Sequence, residues 1–155
     1  PAGAMISLTA ALEGVCTLWP QNGPPRQVPV VDFVTGMHTN VLQKGELLRS
    51  ILLPASGLKK RFAMRQASLT RYGRSAAFII ATVDDSGEDF LLTISAATPR
   101  PVHLRFARAP TASELHQAID ERLPPDAWFA DVHGSAPYKR HVTFFLAEQI
   151  RAELS

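Results

Sequence analysis

The side chains that could do acid–base, metal or nucleophilic chemistry are spread along the chain and match no known catalytic spacing. The five histidines include no pair three to five residues apart, the spacing with which a helix presents two zinc ligands. No serine lies in a Gly-x-Ser-x-Gly elbow, and the single cysteine, Cys16, excludes a cysteine-based zinc or iron–sulfur site. The acidic residues between 84 and 89 lack the spacing of a calcium loop and indicate a hairpin tip. The residue types alone therefore predict neither a catalytic residue nor a metal site.

Composition and charge narrow the class of protein. The chain has 155 residues, of which 46% are apolar and 19% charged, with 16 Lys and Arg against 14 Asp and Glu. This balance excludes a disordered chain and fits one domain or two small ones. No apolar run approaches the ~20 residues that cross a bilayer, and one cysteine is typical of a reducing compartment. We therefore expect a cytoplasmic protein.

Basic residues gather between positions 59 and 74. Lys59, Lys60 and Arg61 are consecutive, and Arg65 follows four residues later. No stacking array of aromatic residues and no recognition helix accompanies them. This favours a solvated or anion-facing strand edge over a nucleic-acid interface.

The first third of the chain predicts a helix followed by short strands. Apolar residues over 5–12 have helical spacing, and Gly14 ends that helix. Strands are predicted over 15–19, 27–31 and 46–54, with a tight turn at Asn22 and Gly23 between the first two and Pro54 closing the third. Residues 55–60 read as a linker.

The remainder predicts three longer strands and two helices. The strands span 61–66, 76–83 and 90–97, and a loop over 84–89 joins the last two as a hairpin. Thr111 and Glu114 form a capping box, and a last helix begins near Ser135. Its predicted buried residues are Val142, Phe145, Leu146 and Ile150. The fold class is α+β, with an antiparallel three-stranded sheet packed against C-terminal helices.

Three segments, taken in order, carry a more specific signal. Residues 31–36 and 39–54 are similar to a "D-F-F-x-G … T-x-L-x-x-x-E-(I/L)-L-x-x-I-x-(I/L)-P" pattern. Residues 61–68, which include Arg61 and Arg65, resemble a strand that carries Lys and Arg in the same family of proteins as these patterns. Residues 96–101 and 131–140 are similar to "A-x-x-P-x-R" and "D-x-H-G-S-x-x-Y-R-R". Each match is weak alone, but together they cover nearly the whole chain.

These segments resemble the FAD-binding medium (flavoprotein) subunit of the molybdenum hydroxylases, the family that includes xanthine dehydrogenase and aerobic CO dehydrogenase. The resemblance implies that residues 1–57 are the C-terminal portion of a PCMH-type FAD-binding subdomain. It also implies that residues 58–155 are a CO dehydrogenase flavoprotein C-terminal-like domain. Residues 1–4 match the loop just past the family's glycine-rich flavin loops, which we expect to lie upstream of this chain.

The resemblance also suggests which residues face the flavin. Leu48 matches a leucine that packs against the ring, and its alternative role is that of a core residue. A flavin-contacting lysine of the family falls on Arg61 in one register and on Arg65 in another, so both remain candidates beside an ordinary exposed-charge role. Positive charge near the ring stabilises the anionic reduced flavin.

The resemblance implies a role in electron transfer. In the complete enzyme, electrons pass from iron–sulfur centres through FAD to NAD or oxygen. The implied partners are an iron–sulfur small subunit, a molybdopterin large subunit and the upstream FAD-binding segment. We expect this fragment alone to be inactive. The alternative is a non-catalytic interaction domain of the same fold that binds no flavin.

The closing motif has a structural interpretation. Asp131 and Ser135 are suited to cap the last helix, and Gly134 permits a tight turn. Tyr138 and the basic pair after it could attach that helix to the sheet.

Overall fold

The N-terminal part is a short helix packed against small strands. The computed structural model describes residues 3–155, so the first two residues of the predicted loop over 1–4 lie outside the described part. The elements in chain order are α1 (Ala4–Ala11), β1 (Val15–Trp19), β2 (Arg26–Pro29), α2 (Val30–Phe33), β3 (Val34–Gly36), β4 (Thr39–Asn40) and β5 (Leu47–Leu52). Strands β2, β1 and β5 form an antiparallel sheet in that order, and β3 pairs with β4. Their core contains Ala10, Cys16, Leu18, Val30 and Phe33.

The predicted strand over 27–31 is shorter than expected. It ends at Pro29, after which the backbone turns into the four-residue helix α2. The turn buries Val30 and Phe33 together, three residues apart, while the Val30 amide donates to the Gly14 carbonyl at 2.8 Å. A strand would have pointed these two side chains to opposite faces.

The C-terminal part is a four-stranded sheet with two helices. After a 3₁₀ turn (Gly57–Lys59) come β6 (Arg61–Ser68), β7 (Ser75–Val83), β8 (Glu88–Ser95), β9 (Val102–Arg108), α3 (Ala112–Arg122), a 3₁₀ turn (Pro125–Ala127) and α4 (Ala136–Leu154). The strands pair antiparallel in chain order, so β6 and β9 are the edges. The capping box at Thr111 and the Ser135 cap of α4 form as predicted.

The prediction of three strands is wrong by one. Strand β9 pairs with β8 through Val102 opposite Ile94, Leu104 opposite Leu92, and Phe106 opposite Phe90. Pro99 and Pro101 precede this strand without interrupting it, because prolines are tolerated just before a ladder begins.

The two faces of this sheet are covered differently. On the first, which we call the helix face, Ile79, Phe90, Leu92 and Ile94 pack with Leu115 and Ile119 of α3 and with Leu146, Ala147 and Ile150 of α4. Phe145 was predicted to be buried there, but it is exposed. Consecutive helix residues are about 100° apart, so Leu146 turns toward the sheet and Phe145 turns away.

On the second, which we call the α1 face, the cover is the eight-residue helix α1. The Ser7 hydroxyl lies 2.7 Å from that of Ser95. Ala11 packs with Phe78 and Ile80.

Among residues 3–155, none of the helices combines the length and the apolarity that a membrane span requires.

Candidate functional site

A cleft of about 570 Å³ opens on the α1 face, where α1 begins and the β6–β7 loop ends. Its apolar wall includes Phe78, Ala96 and Phe129. Its polar lining comes from three other places in the chain, namely Gln66, Arg74, Ser75, His38, Asp131 and His133. An apolar cleft with a few converging polar groups is typical of small-molecule and cofactor sites.

The polar groups of the β6–β7 end are donors. The Gln66 side-chain amide donates to the Ser75 hydroxyl at 2.9 Å. Within residues 3–155, no carboxylate lies within 4.0 Å of the Arg74 guanidinium. An unpaired arginine beside a hydroxyl favours an anionic or electron-rich ligand.

The opposite wall is fixed by a buried lysine. Lys139 of α4 is fully buried, and its ammonium group lies 2.9 Å from an Asp131 carboxylate oxygen and 3.3 Å from the Ala96 carbonyl. It also lies 5.1 Å from the centre of the Phe129 ring. Partial burial alone would raise the pKa of the Asp131 carboxyl, but hydrogen bonds from Lys139 and from the His133 amide hold that pKa below its usual range. The carboxylate is thus neutralised by Lys139 and adds no free negative charge to the cleft.

The motif at residues 131–140 positions this wall. Gly134 has φ of +156°, and a Cβ there would come within 2.7 Å of the Tyr138 ring, so only glycine fits the turn. The predicted attachment of the last helix to the sheet is present, and Lys139 makes it. Asp131 accepts a hydrogen bond from the His133 amide at 2.8 Å, which orders the loop before the Ser135 cap.

The three flavin-facing candidates lie outside this cleft. Leu48, on β5, is half-buried and packs against the N-terminal core. Arg65 lies opposite Ile79 in the sheet, on the helix face, and forms an ion pair with Glu153 of α4. Arg61 lies opposite Val83 on the same face and is exposed. Leu48 therefore lies in the three-stranded sheet and the two arginines lie on the helix face of the four-stranded sheet, so the structure does not bring them together.

The sequence analysis missed a four-residue charge network between the two parts of the chain. Arg105 of β9 bonds to both Glu13 and Asp89, and Lys60 lies 2.5 Å from Asp89 and 3.4 Å from Glu13. The Lys60 hydrogen bond holds the pKa of the Asp89 carboxyl below its usual range. These four residues are far apart in sequence, so no local sequence pattern predicts that they form ion pairs.

The described residues hold no nucleophile–base pair in the cleft and no group of three or more metal-binding side chains. What the arrangement can do is bind: it offers a flat apolar wall, hydrogen-bond donors and one free guanidinium.

Comparison with solved structures places this architecture. The chain superposes on quinoline 2-oxidoreductase from Pseudomonas putida 86 with a TM-score of 0.72 at 15% identity, over 98% of this chain and 55% of that one. For carbon monoxide dehydrogenase from Hydrogenophaga pseudoflava, lacking the Mo-pyranopterin moiety, the TM-score is 0.72 at 20% identity, over 94% of this chain and 53% of that one. For a Cu,Mo-CO dehydrogenase in its cyanide-inactivated form, the TM-score is 0.75 at 19% identity, over 96% and 56%.

This chain has the fold of those oxidoreductase chains. The predicted α+β fold is confirmed, and it is shared with chains of quinoline 2-oxidoreductase and of CO dehydrogenase. The chain spans about half the length of the solved structures it matches. Neither a protein-family model nor a curated protein sequence matches it.

Proposed function

We propose that this chain is the C-terminal part of the FAD-binding subunit of a molybdenum-containing hydroxylase or dehydrogenase. Its share of the work is to complete the flavin pocket and to contact the other subunits. The observation that carries the proposal is the fold match over 94–98% of the chain to CO dehydrogenase and quinoline 2-oxidoreductase chains.

The residues of the cleft fit one part of FAD. Phe78, Phe129 and Ala96 offer a flat apolar wall to a planar ring, and Gln66, Ser75 and Arg74 offer donors to its oxygen and nitrogen atoms. The chain contains no two consecutive glycines, and a pyrophosphate needs several backbone amides at close approach. We therefore assign the ring edge to this chain and the phosphates to another segment.

The resemblance gives Leu48, Arg61 and Arg65 as flavin contacts, which is an alternative placement of the ring because none of the three lines the cleft. Of the two arginines, Arg61 is the freer cation, since no carboxylate in residues 3–155 lies within 4.0 Å of it, whereas Arg65 is held by Glu153. A guanidinium without a competing anion is the better partner for a reduced flavin.

Bound FAD would supply the redox chemistry, taking electrons from iron–sulfur centres and passing them to NAD⁺ or O₂. The residues of this chain bind and orient the ring. Arg74 in the cleft, or Arg61 in the alternative placement, would put a fixed positive charge where negative charge develops on reduction. An iron–sulfur small subunit and a molybdopterin large subunit are the partners in this proposal.

The test compares the polypeptide as the cell makes it with variants of the cleft. Purified protein should carry one FAD, read from its visible absorption. Arg74→Glu should weaken FAD retention, while the control Arg108→Glu, at the other edge of the sheet, should not. Electron transfer is then measured as flavin bleaching on mixing with the iron–sulfur and molybdopterin subunits and substrate.

Each result points one way. One FAD per chain, bleached by substrate only when the other subunits are present, supports the proposal. A polypeptide that binds the other subunits but never flavin would make the chain the non-catalytic interaction domain. Flavin retained equally by Arg74→Glu would remove the cleft from the flavin site.

A further inference from the structure

One long stretch of the chain carries only positive charge. Between Glu46 and Asp84 there is no acidic residue, and seven basic residues lie there: Arg49, Lys59, Lys60, Arg61, Arg65, Arg71 and Arg74. Glu13 and Asp89 pair with Lys60, and Glu153 pairs with Arg65. Within residues 3–155, Lys59, Arg61, Arg71 and Arg74 have no carboxylate within 4.0 Å. Two of these lie at each end of strand β6.

Strand β6 is also an open edge. It spans eight residues and pairs with β7 on one side only. Its other side presents unpaired backbone donors and acceptors, which are a template for a further strand unless the sequence blocks them. No proline and no acidic residue interrupts β6.

An apolar strip runs along the α1 face of this edge. Phe62 and Met64 lie opposite Thr82 and Ile80, which point to that face. Phe62 is 65% exposed and Met64 is 50% exposed. Alternation places Arg61 and Arg65 on the other face, so the edge is apolar on one side and basic on the other.

Helix α1 extends the strip. Its Ala10 side is turned toward the N-terminal core and His103 of β9, while Ser7 meets the sheet. The helical rotation puts Met5 and Leu8 on the flank of α1 opposite Ala10, the flank on which Ala11 packs against β7. They are 69% and 41% exposed. A contiguous apolar surface of this kind marks a binding face more often than a bare solvent face.

We propose that the β6 edge binds an extended segment of a partner polypeptide, apolar in its centre and acidic at both ends, which adds to the sheet as a fifth strand. Its alternate side chains contact Phe62, Met64 and Leu8. Its acidic ends lie against Lys59 and Arg61 on one side and Arg71 and Arg74 on the other. This is strand addition, in which main-chain hydrogen bonds give affinity and side chains give specificity.

The charges decide between possible partners. A second copy of this chain paired through β6 would bring two basic, acid-free edges together, and such like-charge contacts are unfavourable. A nucleic acid would satisfy the charges but would leave the backbone edge unpaired and Met5, Leu8 and Met64 of the apolar strip uncovered. The surface shares Arg61 and Arg74 with the proposed flavin site, but its backbone edge, Phe62, Met64 and Leu8 have no part in that site. The peptide experiment therefore tests this proposal without reading flavin binding.

The experiment uses the full chain and a synthetic peptide of alternating valine and threonine with two glutamates at each end. Binding is measured by fluorescence anisotropy, and its place by hydrogen–deuterium exchange. We expect slower exchange of the β6 amides and no change at β9, the other edge. A peptide with the same charges but with prolines in place of the threonines should bind about tenfold or more weakly, since proline cannot pair in a strand.

Matched variants locate the contacts. Phe62→Ser and Arg61→Glu should each lower affinity by about tenfold. The controls are Phe145→Ser, an equally exposed phenylalanine on α4, and Arg108→Glu on β9, which should leave affinity unchanged. Circular dichroism checks that all four variants remain folded.

Four outcomes would overturn the proposal. Protection at β9 instead of β6 would place the site elsewhere. Equal binding of the proline peptide, or tighter binding of single-stranded oligothymidine, would reduce the edge to a general anion surface. A dimer by light scattering that Phe62→Ser dissociates would make the occupant a second copy.

Discussion

The helix face of the four-stranded sheet is covered by helices of the same part of the chain, whereas the α1 face is covered by a helix of the N-terminal part. Two helices, one of them nineteen residues long, cover the helix face with aliphatic side chains from the same part of the chain. The α1 face is covered by an eight-residue helix from the other part, through small side chains such as Ser7 and Ala11. The first face is thus packed entirely by side chains of the C-terminal part. The second holds the two parts together and leaves the β6 side open for partners.

The largest effect should come from removing the cover of the α1 face. We propose that residues 58–155 form their own folding unit, and expect this isolated fragment to unfold cooperatively but at a lower urea midpoint than the whole chain. Phe78 and Ile80 would become exposed, and each buried side chain of that size is worth about 1.5–3 kcal/mol. Circular dichroism during urea titration measures both midpoints. A disordered fragment beside a folded whole chain would show that the boundary near residue 58 is wrong.

The second largest effect should come from replacing Lys139, the buried lysine of α4. Lys139→Ala removes the ammonium that neutralises Asp131 and bonds to the Ala96 carbonyl, and breaking a buried pair in this way costs about 3 kcal/mol. The neighbouring Arg140→Ala breaks an exposed pair with Asp120 and should cost less than ~1 kcal/mol. The free energy of unfolding in urea measures both. Equal losses in the two variants would mean that burial of Lys139 adds nothing.

Charge reversal at two arginines tests which residue the flavin contacts. In the FAD-loaded polypeptide, Arg61→Glu should lower the flavin reduction potential, because the anionic reduced form loses a partner worth about 1.5–3 kcal/mol. Arg65→Glu should change it little, since Arg65 is already paired with Glu153 and a screened charge contributes less than ~1 kcal/mol. The potential is measured by dye-coupled reductive titration. Negligible shifts of the flavin reduction potential in both variants would show that neither arginine contacts the flavin.

The parts of the fold that the sequence predicts are those set by local patterns. The continuous apolar run of β7, the capping box at Thr111 and the Ser135 cap each depend on residues a few positions apart. Strand β9 alternates, with Val102, Leu104 and Phe106 apolar, but the prolines before it argued against a strand there.

The candidate site was less predictable because it is assembled from distant segments. Gln66, Arg74 and Asp131 meet only when the β6–β7 loop and the loop before α4 reach the same end of the sheet. The network of Glu13, Arg105, Asp89 and Lys60 is likewise non-local. Its effect is to connect α1, and with it the N-terminal part, to both edges of the sheet.

The smallest effect concerns how the N-terminal part is held together. There an ion pair with two hydrogen bonds adds to a small apolar core: Arg26 donates to both Glu46 carboxylate oxygens, at 2.8 and 2.7 Å, and to the Val41 carbonyl at 2.8 Å. The Arg26 hydrogen bonds, followed by that of the Gln43 amide, lower the pKa of the Glu46 carboxyl to about 2. Because this pKa is depressed in the folded state, the stabilisation is present above pH ~4.5, the ordinary glutamate value, and is lost as pH falls toward 2.

Glu46→Gln should therefore lower the urea midpoint at pH 7, and the difference from the parent chain should shrink steadily below pH 4.5. Trp19, on the strand that pairs with β5, reports the N-terminal part through its fluorescence, and Trp128 reports the helix-face core. Replacing each tryptophan by phenylalanine in turn separates the two signals. If the N-terminal part depends on the Arg26–Glu46 pair and the helix-face core does not, lowering the pH should reduce the urea midpoint reported by Trp19 before the midpoint reported by Trp128. Coincident transitions at every pH would show instead that the shared α1 face couples the two parts into one cooperative unit.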